Sequence, residues 1–294
     1  MMPTNVSVVI STWNRKTMLA AAIDSVVAQQ DAPSFEIVVV NDGSDDATEA
    51  FLAELGRTVR AVTIDHTGNL ATVRNKGLEI ARGNYVLFLD DDDLLERDAL
   101  KRLAGALDEN DGCGFAFGDV RYVEEDGTVG PPFLESRYND DRDVLWNLVA
   151  GTPLFSQATI ARRSLLTDVG GLDTSRASAE DFDLWLRVAL QADGVRLWPV
   201  VTRLRRHARN MSASTAIAGC ENAAASLEDL LGRQQLTAAY RAQVRRTLCR
   251  LYRQVSALYL QRRQRREASK FAALALRARP ISARSWMALL RAQL

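Results

Sequence analysis

Four consecutive aspartates, Asp90, Asp91, Asp92 and Asp93, are the residues of this chain best suited to chemistry. They follow Tyr85 to Leu89, an apolar run with β-branched and aromatic content entered through Gly83-Asn84. That pattern predicts a buried strand. Carboxylates crowded at the end of such a strand repel one another unless a cation or a basic ligand compensates them. Their oxygens are hard ligands that suit Mg²⁺ or Mn²⁺, above all where phosphate oxygens complete the shell. One reading is a divalent-metal site at the carboxyl edge of a sheet, where open α/β folds bind ligands. The other is a solvated acidic turn that caps the next helix, since aspartate does both jobs.

The elements that would position these acids alternate regularly. Val6 to Ile10 predicts a first strand, leading through Ser11-Thr12-Trp13-Asn14-Arg15 into an amphipathic helix. Met18, Leu19, Ile23, Val26 and Val27 form that helix's inner face. Phe35 to Val40 predicts a second strand, closed by Asn41-Asp42-Gly43-Ser44-Asp45-Asp46. Such a turn can set an acid at the strand end and cap the helix that follows. Val59 to Ile64, Tyr85 to Leu89 and Phe115 to Asp119 predict further strands, and Asn69 to Ala81 and Leu94 to Leu107 predict helices. This alternation points to an α/β fold with a mostly parallel sheet flanked by helices. Right-handed crossovers bring the strand-to-helix turns to one edge. Trp13, Asp42 and the aspartates are therefore expected to meet there.

No familiar phosphate cradle is present, because Ser11 to Arg15 lacks glycine and no Gly-Lys-Ser/Thr loop occurs. A nucleotide would need another grip: an aromatic for the base, an acid for ribose or base, and a metal for a diphosphate. Trp13, Asp42 and the aspartate run can supply these three.

Seven motifs in order sharpen the reading. They are Val-Ser-Val-Val-Ile-Ser-Thr-Trp-Asn-Arg (6–15), Glu-Ile-Val-Val-Val-Asn-Asp-Gly-Ser-Asp-Asp (36–46) and Arg-Asn-Lys-Gly (74–77). Then come Gly-Asn-Tyr-Val-Leu-Phe-Leu-Asp-Asp-Asp-Asp (83–93), Gly-Gly-Leu-Asp (170–173), Glu-Asp-Phe-Asp-Leu-Trp-Leu-Arg (180–187) and His-Ala-Arg-Asn-Met-Ser (207–212). Each is weak alone; in this order and spacing the chain resembles the inverting family 2 glycosyltransferases of GT-A fold. The likeness runs from residue 6 to about 212 and implies a Rossmann-like catalytic domain over 1–215. A basic α-helical extension follows over 216–294.

Carried over residue by residue, the resemblance implies that Ser11 and Trp13 line a base pocket. The family more often has Tyr at position 13, and Trp keeps the flat stacking face. It implies that Asp42 hydrogen-bonds the base and that Arg74 faces the base or the phosphates. Asp90 and Asp91 would lie by the ribose and metal, and Asp92 would ligate the metal, Mn²⁺ or Mg²⁺. The family's acid-any-acid pattern fits Asp90/Asp92 or Asp91/Asp93; the first is favoured because the apolar run ends at Leu89. Asp181 is assigned as the base that deprotonates the acceptor hydroxyl, with Glu180 as fallback. The plain alternatives are an ion-paired surface Arg74, a capping Asp42, and acids at 180–181 that merely stabilise a helix start. A helix N-terminus depresses a carboxylate's pKa, so Asp181 needs desolvation to act as a base. His207 follows a predicted strand, Val195 to Leu204, and the resemblance sets it beside the metal or diphosphate. A lone histidine is more often a surface or core residue. His66 has no motif of its own.

Gly170 to Asp173 resembles an acceptor-side turn. Glu124-Glu125-Asp126-Gly127-Thr128 predicts a hairpin turn, and the polar stretch 131–143, with Phe133 and Tyr138, reads as an acceptor-contacting loop or a plain one.

Apolar content of 47% and charged content of 25% are those of a globular domain. No run approaches the roughly 18 apolar residues of a membrane span. No signal peptide is apparent, so a cytoplasmic location is expected, at most peripheral on the inner membrane face. Cys113, Cys220 and Cys249 are odd in number and widely spaced, and read as reduced packing residues. Residues 1–218 carry 22 Lys+Arg against 33 Asp+Glu, and residues 219–294 carry 15 against 4. The basic segment has a cluster at Arg262, Arg263, Arg265 and Arg266. Its last helix carries Trp286, Met287, Leu289 and Leu290 between Arg284 and Arg291. It suits an anionic membrane surface, the acidic body or a second subunit. No base-stacking or groove-reading motif accompanies it, so nucleic acid is not its partner. The expected activity is metal-dependent transfer of a sugar from a nucleotide-diphospho-sugar, UDP favoured, to a glycan or lipid-linked acceptor in cell-surface glycan synthesis. A catalytically silent nucleotide-sugar-binding or scaffolding protein is the alternative. An Asp-nucleophile phosphatase fits less well, because its Asp pair usually lies on the first strand.

Overall fold

The computed structural model describes residues 5–135, 137–138, 143–176, 178–207, 216–233 and 236–293. Among these, the β-branched runs form eight strands of one sheet. They are β1 (Val6–Thr12), β2 (Phe35–Asn41), β3 (Arg60–Thr63), β4 (Tyr85–Asp90), β5 (Asp93–Leu95), β6 (Cys113–Val123), β7 (Thr159–Arg162) and β8 (Asp193–Arg205). The order is β3-β2-β1-β4-β7-β6-β8-β5. β1 pairs in parallel with β2 and β4, setting Ser11 opposite both Val40 and Asp90. β6 and β8 are also parallel, while β7 runs antiparallel to β4 and β6, and β5 antiparallel to β8. The sheet is thus mixed, parallel from β3 through β4 with antiparallel pairings beyond, and the carboxyl ends of β1, β2 and β4 share one edge.

The helices are α1 (Lys16–Val27), α2 (Thr48–Leu55), α3 (Leu70–Ile80), α4 (Ala99–Asp108), α5 (Val144–Ala150), α6 (Arg163–Asp168) and α7 (Glu180–Ala189). Four more follow: α8 (Ala216–Gly232), α9 (Ala238–Gln261), α10 (Arg265–Ala278) and α11 (Ala283–Gln293). Successive strand residues point to opposite faces. Val6, Val8 and Ile10 accordingly join one apolar cluster with α1 and α4, and Val9 joins another with residues of α3, α7, α8 and α9. The C-terminal helices therefore pack on the same core as the body, with Thr247 of α9 donating to the Val149 carbonyl at 2.7 Å.

Two elements differ from expectation. The inner face of α1 is Leu19, Ala22, Ile23 and Val26, which keeps strict helical spacing; Val27 falls outside that stripe and is exposed. The helix expected from Leu94 starts at Ala99 instead, because Asp93–Leu95 pair with Leu204–Thr202 of β8. An open end of β8 needs a hydrogen-bonding neighbour, and residues 93–95 supply it.

Candidate active site

Asp90 ends β4, Asp93 starts β5, and the turn between them fixes where each carboxylate goes. Asp91 turns inward, accepting from Thr12 Oγ1 at 2.7 Å and Arg15 Nη1 at 3.0 Å. Asp92 Oδ2 lies 2.9 Å from Arg15 Nη1 and 3.0 Å from His207 Nε2. Asp93 Oδ1 accepts the Arg205 N–H at 3.0 Å, and the Arg205 guanidinium donates to the carbonyls of Asp92, Asp91 and Met18. Repulsion is thus met partly by protein cations, and burial raises the pKa of two of the acids. Burial pushes the Asp91 carboxyl up to about 6, with Asp92 adding to the rise and Thr12 and Arg15 opposing it. Burial, with Asp90 and Asp92 beside it, raises Asp93 well above the carboxylate range. Ligand oxygens of Asp90, Asp92 and Asp93 lie within 4.8 Å of one another. An all-carboxylate set of that kind fits a hard divalent cation such as Mg²⁺ or Mn²⁺. It contains the favoured Asp90/Asp92 pair and adds Asp93; Asp91 stands outside it, and His207 joins through Asp92.

A cleft of about 570 Å³ opens beside these acids. Ser11, Trp13, Asp42, His66, Asp90, Asp91, Asp92 and Asp93 are among its lining residues. The half-exposed Trp13 ring stacks on His66 with centroids 4.5 Å apart and planes 17° from parallel. His66 Nδ1 in turn lies 2.9 Å from the Asp42 carbonyl and 3.0 Å from its Oδ2. The Asp42 carboxylate also accepts from Thr67 N, Thr67 Oγ1 and Gly68 N at 2.8, 2.9 and 3.0 Å. It therefore holds the turn at 66–68 against the mouth of the cleft. Ser11 Oγ is buried with no hydrogen-bond partner among the described residues. Buried hydroxyls normally have one. Asn14 adopts a left-handed backbone, φ 54°, which asparagine tolerates. Its Oδ1 accepts Asp45 N at 2.9 Å, tying the β1–α1 loop to the β2–α2 turn.

Arg74 does not line the cleft. It is buried beneath it, with Nη2 2.6 Å from Asp90 Oδ1 and Nη1 3.1 Å from Glu180 Oε1. Burial works against its charge, but Asp90, Glu180 and Asp181 outweigh that and hold the guanidinium protonated. Gln157 donates to the other Asp90 oxygen. Glu180 and Asp181 form the first turn of α7. Burial lifts Asp181 above the ordinary carboxylate range, against Arg74 and the Phe182 N–H, and Asp90 adds to the rise. Burial and Asp181 likewise raise Glu180, with Arg74 opposing. In the contest between helix N-terminus and desolvation, desolvation wins. The residue before this turn, Ala179, sits at φ 58°, a conformation costing an alanine roughly 1–2 kcal/mol.

Two motifs distant in sequence meet behind the acids. Asn75 exchanges hydrogen bonds with the backbone N–H and carbonyl of Leu172, both at 2.8 Å. Gly171 has φ +66°, and a Cβ there would come 2.6 Å from Asn75 Oδ1. Glycine is required, and the 170–173 turn is fastened to α3.

The stretch 131–143 is anchored at both ends, and residues 136 and 139–142 lie outside the described residues, as do 208–212 of the last motif. The buried Asp119 gathers the N–H groups of Val120, Phe133, Leu134 and Glu135 at 2.7–2.9 Å. Phe133 sets its edge against Tyr122 and Phe155, both in the cleft wall. Asp143 caps α5 through Trp146 N at 2.7 Å and accepts the Tyr240 hydroxyl of α9 at 2.6 Å. Arg15, His66, Gln157 and Arg205 were not picked out as site residues by sequence. The signal available for His66 was its place just after a parallel strand, at the edge shared with Trp13.

A mixed sheet whose parallel half carries an aromatic–acid cleft and three convergent aspartates at its carboxyl edge defines a GT-A-type glycosyltransferase fold. The structure of Staphylococcus aureus TarS 1–349 in complex with UDP-GlcNAc matches with a TM-score of 0.76 at 20% identity, over 98% of this chain and 88% of that one. The Pyrobaculum calidifontis mannosyltransferase PcManGT, in complex with GDP-Man and Mn²⁺, matches with a TM-score of 0.60 at 20% identity, over 100% and 88%. Bacillus subtilis TuaG, described as a teichuronic acid biosynthesis glycosyltransferase, is 32% identical over 152 residues, 50% of this chain and 59% of that one. The family model for glycosyl transferase family 2 matches residues 7–169, and the chain belongs to that family. It spans about three fifths of the length of the curated relatives first matched. Among the described residues, no helix is long and apolar enough to cross a membrane.

Proposed function

We propose that this protein transfers a sugar, with inversion, from a nucleotide-diphospho-sugar to an acceptor hydroxyl. The observation that carries the reading is the convergence on one cleft of the Trp13–His66–Asp42 group and the oxygens of Asp90, Asp92 and Asp93. Trp13 stacks on the base, the unpartnered Ser11 hydroxyl and Asp42 contact the nucleoside, and Asp90 and Asp91 lie by the ribose and metal. Asp92, with Asp90, Asp93 and the adjoining His207, would hold Mg²⁺ or Mn²⁺. Such a cation, when bound, offsets charge on the diphosphate.

Asp181 takes the acceptor proton as the acceptor oxygen attacks the anomeric carbon. The bond from that carbon to the diphosphate oxygen breaks, and the diphosphate leaves with the electron pair. A carboxylate with a raised pKa suits this step. Arg74 links Asp90 of the donor side to Glu180 beside the base, so it positions both. The aromatic rim of Tyr122, Phe133 and Phe155 suits a glycan or lipid-linked acceptor. A UDP-sugar donor is favoured by the TarS likeness, although the GDP-Man complex of PcManGT keeps guanosine in view. Residues 1–215 form the catalytic domain and 216–294 an appended helical region, which holds the cytoplasmic enzyme at the inner membrane face or against a second copy.

A thermal-shift panel of UDP-, GDP-, dTDP- and CDP-sugars, with and without Mn²⁺, tests the reading. One nucleotide sugar should raise the melting temperature only with metal, and Asp92→Asn should abolish that shift. Asp181→Asn should keep the shift and lose transfer. A metal-dependent shift without any turnover would favour a silent nucleotide-sugar-binding protein. No shift with any donor would sink the assignment.

A further inference from the structure

We propose that α11 and the turn before it dock on an anionic lipid bilayer. Docking rests on the peripheral location included in the transfer reading, but vesicle binding is measured without catalysis.

Helices on a globular surface turn their large apolar residues inward. α11 does the reverse apart from Leu289, which is partly buried. Its buried positions are the small Ser285 and Ala292. Ser285 Oγ lies 3.2 Å from Cys249 Sγ of α9, and the Ala292 carbonyl accepts Ser269 Oγ of α10. Trp286, Met287 and Leu290 are 54, 50 and 57% exposed, and Ile281 in the preceding turn is 89% exposed. Positions 286, 287 and 290 are neighbours on one helical surface, so they make a patch. Trp13, Val27, Val129 and Trp198, the other exposed large apolar residues among those described, lie in other elements.

The charge around the patch selects the partner. Residues 268–294 hold five Lys and Arg and no Asp or Glu. Arg279, Arg284 and Arg291 are exposed beside the apolar residues, and Arg262, Arg263, Arg265 and Arg266 are exposed at the α9–α10 turn. A second copy meeting this surface through a two-fold axis would set arginine against arginine. A bilayer with anionic headgroups offers both complements at one depth, an apolar layer for Trp286, Met287, Leu290 and Ile281 and negative charge for the arginines. Tryptophan suits that boundary because its ring is apolar and its N–H polar.

The test is sedimentation of the full chain with vesicles of phosphatidylcholine alone and with about a third phosphatidylglycerol. Binding to the anionic vesicles only, released by high salt, is expected. Trp286→Ser with Leu290→Ser should weaken it about tenfold or more. Arg284→Glu with Arg291→Glu, which replaces two attracted charges by two repelled ones, should weaken it by more than roughly tenfold. Unchanged melting curves would show that both variants fold. Equal binding to neutral and anionic vesicles, or no binding to either, overturns the proposal. So does a wild-type oligomer, seen by light scattering, that ignores vesicles and becomes a monomer in the Trp286→Ser/Leu290→Ser variant.

Discussion

At the carboxyl edge of the sheet, aspartates are buried within reach of Arg15, Arg74, Arg205 and His207. On α11, arginines stand in solvent next to exposed Trp286 and Leu290. The two regions handle concentrated charge in opposite ways. Burying a charge demands a partner in fixed geometry, so the aspartate edge arrives at its ligand already organised. An exposed charge keeps its hydration and its freedom, contributes little to the fold, and stays available to something outside it. Changes at the first region should therefore alter stability and chemistry together, and changes at the second should alter neither.

The largest effect belongs to the base. Asp181→Asn should lower the transfer rate by about 10²–10⁴-fold while leaving the donor-induced melting shift intact; a near-normal rate would move the base elsewhere. Next is Arg74→Met, which leaves Asp90 and Glu180 unpaired and should cost about 3–5 kcal/mol in urea unfolding. A loss under about 1 kcal/mol would mean the buried bridge behaves like a surface pair. The pH profile sharpens the contrast further. Asp181 accepts a proton only when ionised, so transfer should fall as pH drops through its raised pKa. The acid limb of kcat/KM should lie above the usual aspartate value of about 3.9, and Arg74→Met should move it higher still, since a positive charge that lowers that pKa is gone.

Smaller effects mark the boundary between the regions. Ala179→Gly relieves a left-handed alanine before α7 and should stabilise the protein by up to about 1 kcal/mol; destabilisation would show that the methyl group packs. Least of all, Arg284→Gln should change unfolding free energy by no more than about 0.5 kcal/mol. A larger loss there would show that α11 is held by its charge.

Much of the cleft was legible in the chain. Trp13, Asp42 and the aspartate run each follow an apolar strand, and a parallel sheet with crossovers of one hand sends such ends to one edge. The motifs also point to Asp181, which is not among the residues lining the cleft but whose place at the start of a helix could be read from Glu-Asp before an apolar periodic run. The orientation of Arg74 was not legible. It was expected to face the base or phosphates, but its side chain turns under the cleft because Asp90 and Glu180 lie there. Gln157 and Arg205 were missed for a related reason, since nothing local marks them, whereas His66 offered only its place after a parallel strand.

By itself, the sequence determined which segments become strands and helices and which strand ends carry acids, because those follow from local periodicity and turn chemistry. The tertiary structure decided what each polar group touches. Asp93 joins the convergent carboxylates because β5 pairs with β8, and the carboxyl of Asp181 rises because burial outweighs the helix end. It also decided that α11 turns its small face inward. Periodicity defines two faces of a helix, but only the surface it packs against selects the one that is covered.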